Sequence, residues 1–244
     1  MKLVVLDIDG TLTQTNEVDP DCFVRALSDC FALSGIETDW SLYTNSTDAG
    51  IMKELFQKHF RRSPSDAEIV HMQNSFVRHL QLVHGSGAPT FMPVAGAADF
   101  LAHLSESNEW VSVIATGGWA VSAQFKLRAA NLSVPCPIVS SDDGLSREEI
   151  VRQAIEASLR IYRVESFSRI VSIGDGIWDV NAARSLGLSF IGIARGARAD
   201  RLRSLGVSHL LEDFSNLHTV FTALDEALEA IEKCGNRQVV GTVR

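Results

Sequence analysis

Asp7-Ile8-Asp9-Gly10 places two carboxylates two residues apart, directly after the apolar run Leu3 to Leu6. Residues two apart in a strand face the same side, so where the chain turns at Gly10 both side chains can reach one site. Two neighbouring carboxylates repel and are costly to bury unpaired. A divalent cation relieves that cost, and a hard oxygen donor set favours Mg2+, which takes one or two carboxylates together with a substrate phosphate. A second acidic pair, Asp175 and Asp179, stands in Gly174-Asp175-Gly176-Ile177-Trp178-Asp179, after the apolar run Ile170 to Ile173. Either aspartate alone would serve as a charge partner for a helix N-terminus; two at the carboxyl end of one strand point to a site. The segment Ile114-Ala115-Thr116-Gly117-Gly118 ends another apolar run with a hydroxyl and two glycines. Such a turn is common before helices, and its exposed N–H groups suit an anionic phosphate.

These residues need a frame that brings strand ends together. Short apolar runs at Leu3 to Leu6, Val111 to Ala115, Pro137 to Val139, Ile170 to Ile173, Leu188 to Ile193 and His209 to Leu211 read as strands. Helix-like segments separate or follow them at about Trp119 to Ala130, Ser146 to Leu159, Ile177 to Leu186, Ala199 to Leu205 and Asn216 to Lys233. Ser146 with Glu149 has the spacing of a capping box. The alternation predicts an α/β fold with a doubly wound parallel sheet, whose sites lie at the carboxyl ends of strands. The interval from about Thr13 to Pro93 is too long for an ordinary crossover and reads as helices: Pro20 to Ser34, Ala49 to Arg61 and Asp66 to Val83. The expected organisation is an α/β core formed by residues 1–14 and 90–244, with a helical insert over 15–89 returning through a Gly- and Pro-bearing linker near residues 85–89. Cys234 to Arg244 has no clear period and reads as a frayed tail.

With 22 basic and 30 acidic residues the net charge is −8, and no basic stripe is present, so no nucleic-acid partner is expected. No apolar run approaches the roughly 18 residues of a membrane span, and the apolar start is too short for a secretory signal. Cys22, Cys30, Cys136 and Cys234 have no metal-ligand spacing, which predicts reduced thiols and a cytoplasmic protein.

Taken together, Asp7-Ile8-Asp9-Gly10-Thr11, Thr116 and the Asp175/Asp179 pair resemble the motifs of the haloacid dehalogenase superfamily, in its Mg2+-dependent phosphatase branch. Order, spacing and strand context agree over the whole α/β core, and the insert is similar to the helical cap of phosphoglycolate-phosphatase-like members. The resemblance implies that Asp7 is a nucleophile forming an aspartyl-phosphate and that Asp9 is the acid and base. It further implies Mg2+ held by Asp7, Asp175 and the backbone carbonyl of Asp9, with Asp179 as a further ligand or as support for a metal water or Arg147. Thr116 and Gly117 would hold a phosphoryl oxygen. The family usually carries a lysine at the start of the helix after the third core strand. Here Arg147 is the cation in that place, and a guanidinium can bind phosphate bidentately, although a first-turn arginine can equally pair with Glu148 or Asp143. Lys126 falls mid-helix and reads as solvent-facing.

Candidate insert contacts to substrate are Thr47, Asp48, Lys53 and Arg78, with Thr47 or Asp48 also suited to cap the helix that follows. Trp178, between the two acids, reads as a packing residue. The expected activity is hydrolysis of a small soluble phosphorylated metabolite by a monomer or homodimer. A phosphosugar mutase on the same fold and a non-catalytic phospho-ligand binding module are the alternatives.

Overall fold

The computed structural model describes residues 1–87 and 89–235, and the side chains up to residue 227; most of the predicted tail, residues 236–244, lies outside the described residues, as does the Cys234 side chain. Six strands, β1 (Lys2–Leu6), β2 (Trp110–Ala115), β3 (Ile138–Val139), β4 (Arg169–Gly174), β5 (Ser189–Ile193) and β6 (His209–Leu211), form one parallel sheet in the order β3-β2-β1-β4-β5-β6. The predicted doubly wound α/β sheet is therefore present. Its order reverses at β1, where connections leave in both directions and a crevice opens at the strand ends.

Alternation along β1 shows why an apolar run becomes this strand. Val4 and Leu6 point into one buried cluster, Leu3 and Val5 into another on the opposite face. A strand covered on both faces needs an uninterrupted apolar run. The first cluster receives α4 (Ala97–Glu106), α5 (Ala120–Ala129) and α9 (Leu217–Gly235); Phe100 of α4 stacks on Phe214 with centroids 4.8 Å apart. The second receives α6 (Arg147–Tyr162) through Ile150, Val151 and Ala154. Ser146 caps α6 through the predicted box with Glu149. Two further helices, α7 (Ile177–Ser185) and α8 (Gly196–Ser204), flank β5. Helix α4 is not among the segments expected from the sequence, although Ala97, Phe100, Leu101 and Leu104 are all buried at helical spacing.

Between β1 and β2 the chain forms α1 (Val18–Phe31), a short 3-10 turn (Trp40–Leu42), α2 (Asp48–Phe60) and α3 (Asp66–Gly85). These build their own aromatic cluster. Phe23 packs edge-on against Trp40 and Phe76, and stacks on Trp119 at 5.7 Å. Trp119 is fully buried and belongs to the turn after β2, so the insert's core is completed by a residue of the α/β unit. No helix among the described residues is long and apolar enough to cross a membrane.

Candidate active site

Register brings the motif residues level. Leu6 of β1 pairs with Ile114 of β2 and with Ile173 of β4, so Asp7, Thr116 and Asp175 leave three adjacent strands at the same edge. The Asp7 amide donates to the Ile173 carbonyl at 3.0 Å. One ligand oxygen from each of Asp7, Asp175 and Asp179 lies within 4.8 Å of the others, and all three side chains are buried. Asp179 also folds back to accept from the Gly176 amide at 3.1 Å, which fixes it at the first turn of α7. Gly10 closes this centre: its φ is +78°, and a Cβ there would stand 2.0 Å from Asp175 Oδ2, so glycine is required by both conformation and space.

Burial dominates the acids' protonation. It raises the Asp7 carboxyl; Arg147 opposes the shift and Asp9 adds to it. Asp175 is raised well above the usual range by burial and by the charges of Asp7 and Asp179. Asp179 is pushed up to about 7 by burial and Asp7, against Arg147. Three acids raised in this way form a site that is short of positive charge.

Arg147 stands where the sequence places it, at the start of the helix after β3. From the first turn of α6 its Nη1 donates to Asp7 Oδ1 at 2.9 Å and to Asp179 Oδ1 at 3.3 Å. Burial disfavours its charge, but Asp179 and Asp7 outweigh that and raise its pKa further. It therefore does not turn outward to pair with Glu148 or Asp143. The guanidinium lies across Gly117, where a Cβ would be 2.6 Å from it. Thr116, fully buried, accepts from the Gly118 amide at 3.2 Å and keeps its hydroxyl hydrogen to donate.

Lys126 is a correction. Far from facing solvent, it has no exposed surface, and its Nζ donates to Asp9 Oδ2 at 2.6 Å and to Asp19 Oδ1 at 2.7 Å. Burial opposes its charge, and Asp19, Asp9 and Asp48 together reverse that shift and leave its pKa raised. Burial lifts Asp19 to about 6 against the pull of Lys126. Asp9 Oδ1 accepts from the Thr15 hydroxyl at 2.5 Å.

The insert's predicted contacts divide. Asp48 lines the cavity in front of Asp7 and accepts from the Trp119 amide at 2.9 Å; burial raises its carboxyl, with Asp19 adding to the shift. Thr47 caps α2 by accepting from the Gly50 amide at 3.1 Å and donates to the Leu145 carbonyl at 2.6 Å, which commits its hydroxyl to holding the insert on the core. Lys53 and Arg78 are not brought to the site. Lys53 lies on the exposed side of α2, and Arg78 of α3 is paired with Asp29 of α1 at 3.0 Å. A helix leaves its cations free to face either way, and here both face solvent.

The cavity measures about 300 Å3 and runs from Asp7 and Asp9 past Asp19 and Asp48 to Trp40 and Ile51 of the insert. Trp178 forms part of its wall, with an indole nitrogen that is buried and unpartnered, and Arg147 stands 5.9 Å from its ring. Arg198 and Arg201 of α8 complete the opposite side, where Arg198 reaches Asp175 at 3.4 Å. Asp19, Arg198 and Arg201, which line this cavity, and Thr15, which holds Asp9, are not among the residues expected from the sequence. For Lys126 a signal was available: Ser122 and Ala123, one turn before it on α5, are small residues on the inward face, a spacing that points a long side chain at that position inward.

A centre of this form, at the switch point of a parallel sheet, defines a class. The family model of haloacid dehalogenase-like hydrolases matches residues 1–187, and the chain belongs to that family. A comparison with curated proteins finds none that matches. Among solved structures, a hydrolase from Pseudomonas syringae is similar at 22% identity over 93% of this chain and 99% of that one, with a TM-score of 0.68. CbbY from Rhodobacter sphaeroides in complex with phosphate is similar at 21% identity over 89% and 96%, with a TM-score of 0.64. A protein from Clostridium acetobutylicum described as a predicted phosphatase is similar at 20% identity over 92% and 98%, with a TM-score of 0.59. At such identities the likeness is one of fold.

Proposed function

We propose that this hydrolase cleaves small phosphomonoesters with Mg2+ through an aspartyl-phosphate on Asp7. The observation that carries the reading is the convergence on Asp7. A buried carboxylate at the floor of a cavity has a guanidinium on one oxygen and two further acids beside it.

The donor set fits the ion. Three close carboxylates are all raised, by burial first and then by neighbouring carboxylate charge (Asp9 on Asp7, Asp7 on Asp175 and Asp179), with Arg147 and the half-exposed Arg198 touching them. Side chains of Asp7, Asp175 and Asp179, with the backbone carbonyl of Asp9, would hold Mg2+, a hard cation suited to oxygen ligands. When bound, the ion would supply positive charge to the phosphoryl oxygens.

This chain's residues do the rest. A carboxylate oxygen of Asp7 attacks phosphorus while the bond to the leaving oxygen breaks. Asp9 gives that oxygen a proton, then removes one from the water that attacks the phosphorylated Asp7. Arg147 and the hydroxyl of Thr116, with the Gly117 amide, hold the phosphoryl oxygens in line, which is the larger part of catalysis in this reaction class. The helical insert serves as a cap: Trp40, Asp48 and Ile51 roof the cavity, select the leaving group and exclude water. CbbY, which shares the fold, is described in complex with phosphate, a ligand of the kind this reading requires.

A screen of phosphorylated metabolites with Mg2+ tests the reading. Release of inorganic phosphate is expected, abolished by chelator and reduced at least about 10³-fold by Asp7→Asn, the scale on which loss of a nucleophile acts. An isomer formed without phosphate release would move the chain to the mutases. Unchanged turnover in Asp7→Asn would end the proposal.

A further inference from the structure

Each aspartate of the Asp7/Asp9 pair has its own buried cation. Arg147 takes Asp7, and Lys126 takes Asp9. The Asp9 carboxylate is held at both ends, with Oδ2 accepting from Lys126 at 2.6 Å and Oδ1 accepting from Thr15 at 2.5 Å. These two partners differ in one respect. An ammonium has three donors and no acceptor, whereas a hydroxyl can donate or accept. Oδ2 is therefore held in one role by a cation, whereas Oδ1 keeps a partner, Thr15, whose bond can reverse. Thr15 has a second hydroxyl, Thr13, at 2.6 Å, with either able to donate, so the reversal leaves no hydroxyl unpaired.

We propose that Lys126 is a positioning residue that pins Asp9 Oδ2 and so fixes the orientation of the Asp9 carboxylate, leaving Oδ1 to serve the leaving group. The proposal rests on the reading of Asp9 as acid and base. Lys126 is itself fixed from the insert: its second bond, 2.7 Å to Asp19 of α1, anchors the ammonium independently of Asp9. A point charge on a flexible stem positions its partner only when anchored in this way. A buried ion network is weak evidence for stability as such, and burying this one in contact with the acid's carboxylate is explained by the orientation it imposes.

The test separates positioning from structural support through the leaving group. An alkyl phosphate needs a proton as its P–O bond breaks; p-nitrophenyl phosphate, with a good leaving group, does not. The parameter kcat/KM contains this step for both esters. In Lys126→Met, kcat/KM for the best alkyl ester is expected to fall about 100-fold, the cost of misplacing a catalytic group by about 1 Å. The fall for p-nitrophenyl phosphate should be at least tenfold smaller. Equal falls on both esters, or none on either, would overturn the proposal. Should Lys126→Met not fold, Asp19→Asn loosens the same anchor. It should lower the alkyl-to-aryl ratio several-fold, and an unchanged ratio overturns the idea equally. Asp9→Asn in the same assay isolates the underlying reading. If it leaves the ratio unchanged, Asp9 is not the acid; if it lowers the ratio while Lys126→Met does not, only the role of Lys126 fails.

Discussion

Affinity for Mg2+ should rise steeply between pH 6 and pH 8. In the metal-free protein Asp179 keeps its proton up to about pH 7 because it is buried beside Asp7. A cation needs the carboxylate, so binding must displace that proton. A site with a pKa near 7 is about one-tenth ionised at pH 6 and about nine-tenths at pH 8, so apparent affinity gains roughly tenfold across the interval for one displaced proton. Asp7 and Asp175 are raised as well, again by burial first, and any share they hold steepens the slope. The sign for stability is opposite. Asp179 titrates at about 3.8 when unfolded and about 7 when folded, so the native state holds more protons through that window. Metal-free stability therefore falls as pH rises through it, and added Mg2+ offsets the loss most at the alkaline end. Titration calorimetry in two buffers of different ionisation enthalpy counts the protons released. Near one proton at pH 6, fewer at pH 8, and a flattened profile in Asp179→Asn are expected. An affinity independent of pH with no proton release would refute this account of the acidic centre.

Two further substitutions test the framework. Gly117→Ala should leave the fold intact but push the Arg147 guanidinium off Asp7 and Asp179, because a Cβ would stand 2.6 Å from it; losing these charge-assisted bonds, about 1.5–3 kcal/mol, should lower kcat/KM on the same order, about 10- to 100-fold, with a normal thermal midpoint. Trp119→Ala removes the fully buried ring on which Phe23 stacks and should cost about 3–5 kcal/mol in urea unfolding; an unchanged midpoint would mean that the insert does not depend on this residue.

The acidic centre was legible because its signals are local. Asp7, Asp9, Asp175 and Asp179 sit two or four residues apart next to apolar runs, and the register of β1 with β2 and β4 follows once those runs are strands. Lys126 was not legible in the same way. Its partners Asp9 and Asp19 lie 117 and 107 positions away, and a lone lysine in a helix is ordinarily solvated. Lys53 and Arg78 failed for the converse reason: a positive charge in the insert suggests phosphate, but each cation's direction is settled by helix rotation and by partners such as Asp29. Helix α4 carries a readable period in Ala97, Phe100, Leu101 and Leu104, but it is only ten residues long and lies between the insert and β2, where a short apolar period is easily taken for connecting chain. Boundaries moved by a few residues, as with α8, which begins at Gly196 rather than Ala199.

The bonds along the join between helical insert and sheet limit how far the two can be treated as interchangeable modules. The Asp48 carboxylate satisfies the Trp119 amide, the Asp48 amide donates to the Gly117 carbonyl at 2.8 Å, and Thr47 reaches Leu145. A graft exchanging residues 15–89 for the corresponding segment of a relative would have to bring its own equivalents of Thr47, Asp48 and Asp19. Without them the recipient would be left with an orphaned main-chain donor and a lysine stripped of one counter-charge, so recombination at this border should transmit damage before it transmits a new substrate preference.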